Sequence, residues 1–504
     1  MCVHAPIMAA MMKIDRRSVI AASGATLLFP RSALAQRQTD RFSWETLVQR
    51  AQRQARQPYR ETPHHPGARN VNYDALYQAR FREDRTIWGD LPGDTGVQLF
   101  PLSASAEQPV EIALVENGRA TPLRYDPNIF DAPADNAVRK LGANAGYAGF
   151  RIMNAARDGD WLSFLGATYF RSPGATKQFG LSARAVAINT SIQGKEEFPL
   201  FTHFWLERTG SSSVTIYALL DSASITGAYR FVSERTAQGV RQDVDAALFP
   251  RRAIAELGLM PMTSMFWYDQ ASRSARTDWR PEIHDSDLLA ISSADGTAHA
   301  RPLINPIAPR VDAFTERNPQ GFGLMQRDRN FDHYQDDGVF YERRPSLWAS
   351  PRKPFGAGQV RLYAFPTTSE YVDNVCAYWT PAAAVRAGGR IDASYRLDWS
   401  SAGGPAKAGA RLDNIWTGQA NEAGVDRLIL DFSGVAAEAK PDIWVDAAGG
   451  ALVRKGGYPV LHQPGLYRVA LDIRRDSGKA ADIRVQLRNG NRPFSEYVHY
   501  PLGA

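Results

Sequence analysis

"ADIRVQLRNG", residues 481–490, sets Ile483, Val485 and Leu487 on one side of an extended chain and Asp482, Arg484, Gln486 and Arg488 on the other. Side chains of a strand alternate with period two, so this stretch reads as a strand with one face in a core and one in water. The same alternation returns in "VTIYALL" (214–220), "QVRLYAF" (359–365), "RIDASYRLDW" (390–399) and "LYRVALDIRR" (466–475). Gly, Pro and Asn punctuate these runs, as the short strands of antiparallel sandwiches require. Helical signal is confined to the start. Ser43 is placed to cap "SWETLVQRAQRQARQ", in which Trp44, Leu47, Val48, Ala51 and Ala55 share one face. After "YDALYQARFRED" that signal fades, and the chain is predicted to be all-β (mainly β).

"YWTPAAAVRAGGR" (378–390) supplies Pro381, a short Ala run and Gly388-Gly389 between two strand patterns, the composition of a linker. The expected organisation is a large β-sandwich over 36–380, a linker over 381–388, and a tail over 389–504 of the size of one immunoglobulin-like sandwich. The larger body carries eight tryptophans, Trp44, Trp88, Trp161, Trp205, Trp267, Trp279, Trp348 and Trp379, more than core filling usually needs. No internal repeat interrupts it.

Residues 1–35 have the three-part order of an export signal. Lys13, Arg16 and Arg17 precede an apolar run from Val19 to Phe29, and Ala33-Leu34-Ala35 provides a cleavage site before Gln36. The run is too short to span a bilayer. Arg16-Arg17 ahead of it resembles a twin-arginine signal, which exports folded protein. Translation from Met1 or Met12 serves the signal equally. Cleavage of 35 residues from 504 leaves 469, and loss of Lys13, Arg16, Arg17, Arg31 and Asp15 lowers the formal charge from +6 to +3. So mild a balance shows no basic stripe for nucleic acid. Cys2 leaves with the signal and Cys376 remains alone, so the mature chain is expected to hold no intrachain disulfide.

The acids are the chemical puzzle. "EIHDSDLL" (282–289) crowds three carboxylates and an imidazole into eight positions. Zinc sites favour His and Cys clusters and calcium loops need oxygens at fixed offsets; neither pattern is met, so no metal is expected. No G-x-S-x-G elbow supports a Ser-His-Asp hydrolase. Glycoside chemistry needs two carboxyl groups across one bond, and aromatic faces on which sugar C–H groups stack. Acids near aromatics recur in "EIHDSDLL" after Trp279, in "NFDHYQDDGVFYERRPSLW" (330–348) and in "FPTTSEYVDNV" (365–375). Turn-forming Asp and Glu at strand ends account for the same residues.

Longer blocks carry a resemblance. "FLGATYFRSPGATKQFGLSARAVAINT" (164–190), "KEEFPLFTHFW" (195–205), "YALLDSASITGAYRF" (217–231), "MTSMFW" (262–267), "EIHDSD" (282–287), "NPQGFGLMQRDRNFDHYQ" (318–335), "RRPSLW" (343–348) and "FPTTSEYVDN" (365–374) resemble the periplasmic glucan biosynthesis proteins, types G and D. The likeness runs from about residue 40 to the C-terminus, and the twin-arginine signal is nearer to type D.

The resemblance implies a periplasmic protein whose large sandwich is similar to galactose mutarotase and is followed by an immunoglobulin-like sandwich. It implies a β-1,2-linked glucan as partner, handled by an inverting endo-glucanase or transglycosylase without cofactor. A non-catalytic glucan-binding protein assisting a membrane glucan glucosyltransferase is the alternative. By the family pattern Asp373 is the general acid and Asp285 the general base, with His284 and Asp287 shaping the surroundings of Asp285. Asp373 must then hold a proton near neutral pH, for which Glu370 is a candidate neighbouring anion. Tyr341, Arg344, Trp348, Tyr229 and Arg230 are assigned to the sugar cleft. One departure stands out: type D members carry a longer, tryptophan-bearing excursion where this chain has only "LDNIWTGQANEAGV" (412–425) with Trp416. That excursion bears on cleft closure or on a dimer contact, so a homodimer is one arrangement the resemblance admits.

Overall fold

The structure, a computed structural model, describes residues 40–275, 278–402, 409–476 and 479–504. The signal expected over 1–35 lies outside them. The chain is mostly β. A sixteen-stranded sheet runs through Leu200–Arg208, Ser213–Asp221, Ile225–Thr236, Gly239–Pro250, Ile391–Ser400, Ser346–Pro351, Gly321–Met325, Leu288–Ser292 and Ala298–Pro302. A ten-stranded sheet is built around Ala357–Ala364, Val375–Pro381 and Leu257–Ser264. The inward residues of both sheets meet in one core: Phe231, Val244, Leu397 and Trp399 from the first, Phe164, Phe170, Leu259 and Trp379 from the second. Burying each of these large side chains stabilises the fold by roughly 1.5–3 kcal/mol.

Alternation also explains the helix. Ala228 and Ala247 point away from that core and, with Leu219 and Phe249, receive Leu47, Val48 and Ala51 of the helix Trp44–Ala55. Ser43 caps it as expected: its Oγ accepts from the Thr46 N–H at 3.2 Å, and Thr46 Oγ1 accepts from the Ser43 N–H at 3.0 Å.

A second core gathers Leu428, Leu430, Phe432, Val469, Leu471 and Ile473 against Ile483, Val485, Leu487 and Val498. The first group belongs to a four-stranded sheet and the second to the far end of the large one. Ile483, Val485 and Leu487 are buried as their alternation requires. Two features differ from expectation. The strand Ile391–Ser400, expected to open the tail sandwich, is instead paired between Gly239–Pro250 and Ser346–Pro351. Its period marks it as a strand but carries no information about its partners. The large sheet also continues into the second core, because Ala298–Pro302 pairs in parallel with Tyr497–Leu502. The short 412–425 stretch lies in a hairpin of Arg411–Gln419 with Asp426–Ser433, and Arg468 lies over the Trp416 ring at 5.1 Å. No helix among the described residues is long and apolar enough to cross a membrane.

Candidate active site

The segments that carry Asp285 and Asp373 are joined through one residue, Phe266. The short strand Phe266–Tyr268 pairs with Ile283–His284, setting Phe266 opposite His284, and the next N–H, of Asp285, donates to Met265 O at 2.9 Å. From the other side, buried Asn374 accepts the Phe266 N–H on Oδ1 at 2.9 Å and donates from Nδ2 to the carbonyls of Phe266 and Phe365 at 3.0 Å. Each carboxylate is thus one residue from a partner of the same backbone unit, although 88 positions separate them (373 less 285).

Arg344 completes the arrangement. Its Nη1 is ion-paired with Asp285 Oδ1, and its guanidinium lies 4.0 Å from the Tyr341 ring centroid. Gly180 makes the berth: a Cβ there would come within 3.0 Å of the Arg344 Cβ and 3.2 Å of its Cδ. Burial is the largest influence on Arg344 and pushes it down to about 9, against the opposing pull of Glu370 and Asp373. At about 9 it remains a cation at neutral pH, and it lies in a direct pair with Asp285. Arg171 is lowered by burial in the same way, and the Asp373 charge draws it back. Asp285 is 5% exposed, a carboxylate carried into the interior with its counter-ion.

Glu370 is held by two partners. Arg280 donates Nη2 to its Oε1 at 2.9 Å and Nη1 to its Oε2 at 3.0 Å, and the Tyr341 hydroxyl donates to Oε2 at 2.5 Å. Burial raises the Glu370 pKa, but these donors outweigh it and hold the carboxyl below its usual value. Glu370, the candidate neighbouring anion of Asp373, therefore keeps its charge and shares it with Arg280. Arg280 also binds Asp278, through Nε and Nη2 at 3.0 Å, and Asp336 at 2.8 Å. Sequence reasoning missed Arg280, Arg171, Gln326 and Asn374; only Arg280, in "TDWRP" beside the acid cluster, carried a visible signal.

His284 sits behind Asp285, stacked on Phe266 with ring centroids 5.4 Å apart. Gln326 donates its amide N–H groups to the carbonyls of His284 and Tyr341 and toward the Tyr334 hydroxyl, which turns its Oε1 to His284 Nδ1 at 3.0 Å. Nδ1 therefore donates, and Nε2 faces Glu282 Oε2 at 2.9 Å, an arrangement that suits the imidazolium. Burial lowers the His284 pKa, yet the hydrogen bond and charge of Glu282, with Asp287 and Asp269 behind, leave it raised. A histidine raised above its unfolded value of about 6.5 adds stability that is complete below that pH and is lost as pH climbs through the folded pKa. The urea midpoint of the wild type is expected to fall from pH 6 to 9 more than that of His284→Gln. Equal slopes contradict the imidazolium assignment.

The remaining candidates fall elsewhere. Asp287 braces backbone: its Oδ2 accepts the N–H groups of Arg327 and Asp328 at 2.5 and 2.8 Å, and burial raises its pKa. Arg327 in turn forms a two-pronged pair with Glu496 at 2.6 and 2.7 Å, tying this corner to the second core. Trp348 packs on Leu288, Ala290 and Met325, against Gly321, where a Cβ would meet its ring at 2.7 Å. Tyr229 is a core residue rather than a cleft residue, its hydroxyl donating to Ala185 O at 2.9 Å. Arg230, on the opposite face of the same strand, pairs with Asp245 at 2.7 Å and lies over Trp44 of the helix. Adjacent residues of a strand cannot face one site. Glu282, Asp328 and His333 offer ligand atoms within 4.8 Å of one another, the geometry that comes nearest to a metal site among the described residues. His333 and Asp328 already bond each other at 2.5 Å, and His284 engages Glu282.

Residues 42–502, which include every group described above, match the family "Periplasmic glucan biosynthesis protein, MdoG". The chain belongs to this family. It is 39% identical over 492 residues to "Glucans biosynthesis protein D 2" of Ralstonia nicotianae, covering 92% of this chain and 91% of that one. It is 38% identical to "Glucans biosynthesis protein D" of Xanthomonas oryzae pv. oryzae, covering 98% and 99%. Among solved structures, a galactose mutarotase related enzyme from Lactobacillus acidophilus aligns at 10% identity with a TM-score of 0.22, over 52% of this chain and 94% of that one.

Proposed function

We propose that the protein works in the periplasm on the β-1,2-linked backbone of periplasmic glucan, as an inverting endo-glucanase or transglycosylase. Asp373 is the general acid and Asp285 the general base. The observation that carries this reading is the Arg344 guanidinium, paired with Asp285 and within the field of Asp373. In the step, Asp373 gives its proton to the glycosidic oxygen as the C1–O bond breaks. Water, or a sugar hydroxyl in transfer, attacks C1 from the opposite face and loses its proton toward Asp285. Arg344 is the counter-ion paired with that base. Because Asp285 is nearly enclosed, the proton reaches it through an intervening water or substrate hydroxyl, as the roughly 6.5–9.5 Å carboxyl separation of inverting sites allows.

The same enclosure favours the second reading, a glucan-binding protein that receives chains from a membrane glucosyltransferase. Incubation of purified mature protein with linear β-1,2-glucan separates the two. Product sizing should show shortened or rearranged chains, with the α-anomer appearing first by NMR. Polymer that is bound but left intact overturns the enzyme and establishes the binding protein.

A further inference from the structure

Two large aromatic side chains near the carboxylates are in water. Trp279 is 65% exposed and Tyr371 57%, in a protein that buries Trp161, Trp379 and Trp399 almost completely. Exposure of a tryptophan forfeits much of its apolar burial, so one held out on a mobile loop would be unremarkable and one held out on a rigid frame asks for a ligand.

The frame here is tied by hydrogen bonds and ion pairs. Trp279 lies between Asp278 and Arg280, and Asp278 Oδ1 accepts both the backbone N–H and the Nε–H of Arg280 at 3.0 Å. The Tyr268 hydroxyl fixes the Arg280 carbonyl at 3.2 Å. Tyr371 follows Glu370, whose two oxygens are held by the same Arg280, and the Tyr371 N–H donates to Ser369 Oγ at 3.2 Å. One guanidinium therefore clamps together the two segments that present the exposed rings.

This clamp is continuous with the catalytic groups. Glu370 accepts from the Tyr341 hydroxyl, the Tyr341 ring carries Arg344, Arg344 holds Asp285, and Asp373 lies two positions beyond Tyr371. Charge narrows the ligand. Arg280 is matched by Asp278, Asp336 and Glu370, three carboxylates on one cation, so the guanidinium of this frame is already neutralised and offers little to an anionic polymer. A neutral ligand with apolar C–H faces and hydroxyl edges fits both the rings and the charge.

We propose that Trp279 and Tyr371 form a stacking platform for glucosyl units of the bound glucan lying beyond the cleaved bond, held in place by Arg280. The platform rests on the carbohydrate reading above and adds to it a subsite that selects for chain length. It contributes binding and no proton transfer.

The test compares wild type, Trp279→Ala, Tyr371→Ala and Trp279→Phe on long linear β-1,2-glucan and on the shortest β-1,2-gluco-oligosaccharide the wild type cleaves. Each alanine variant is expected to raise KM on the long polymer on the order of tenfold, the size of one lost aromatic contact. The shortest substrate should be turned over within about twofold of wild type, and Trp279→Phe should recover most of the loss. Titration of Asp373→Asn with the long glucan should change tryptophan fluorescence, and that change should be lost when Trp279→Ala is added. Unchanged KM at every length, or equal losses at every length, overturns the platform while leaving the enzyme reading intact. A wild type that neither cleaves nor binds the glucan overturns the carbohydrate reading itself.

Discussion

Asp373→Asn is expected to lower turnover of β-1,2-glucan by about 10²–10⁴-fold, the contribution of a positioned general acid. The amide keeps the shape of the carboxyl but has no proton to give, so the leaving sugar must depart as an alkoxide. The fold should survive, because Asn374 makes the three bonds to Phe266 and Phe365 that hold the strand junction. An aryl β-sophoroside with a nitrophenolate leaving group supplies the discriminating control. It needs no protonation, so its first-order cleavage by the variant should recover most of the lost rate. Full turnover of the polymer by Asp373→Asn removes it from the role of acid, and a loss that the activated substrate does not relieve assigns it to binding or folding instead.

Arg344→Ala carries the second large effect, and it reaches stability as well as activity. Removing the guanidinium leaves Asp285 about as deeply buried and without its counter-ion, a change that typically costs about 3–5 kcal/mol. It also opens the berth above Gly180 and strips the cation from the Tyr341 face. Urea unfolding should show the loss as a lower midpoint, and activity should fall by at least about 10²-fold if Asp285 is the base it holds. The double variant Arg344→Met with Asp285→Asn removes both charges and should regain much of the stability with none of the activity. If the double variant is no more stable than Arg344→Ala alone, the pair does not hold this site together. Arg344→Lys keeps charge without the flat fork and should fall between.

Much of the scaffold was legible because strand and helix periods are local. Ile483, Val485 and Leu487 enter a core as their spacing demands, and Ser43 caps the first helix with Thr46 closing the box. Alternation within "SITGAYRF" also held an answer that was not used: Tyr229 and Arg230 are neighbours on one strand, so at most one could line a cleft, and Tyr229 went to the core. What periodicity could not tell was partnership. Ile391–Ser400 reads as a strand after a linker, yet its hydrogen bonds go to residues 239–248 and 346–351. An alternating pattern is the same whichever sheet receives it.

The acids divide along the same line. Local sequence placed carboxylates beside aromatics, and likeness to a family singled out Asp285 and Asp373, but composition is silent on which acid keeps its charge and which has it neutralised. Glu370 illustrates the difference. Three residues before Asp373 it reads as a candidate neighbouring anion; in the folded protein it is paired with Arg280, 90 positions away (370 less 280). The amino-acid sequence by itself determined the β architecture, the capped helix and the membership in a family of glucan biosynthesis proteins. The tertiary structure decided that Arg344 pairs with Asp285, that Arg280 gathers three carboxylates, and that Trp279 and Tyr371 are left in water. The reason is physical: an ion pair counts for little until its partners leave bulk solvent, and only the packed chain chooses which charges leave together.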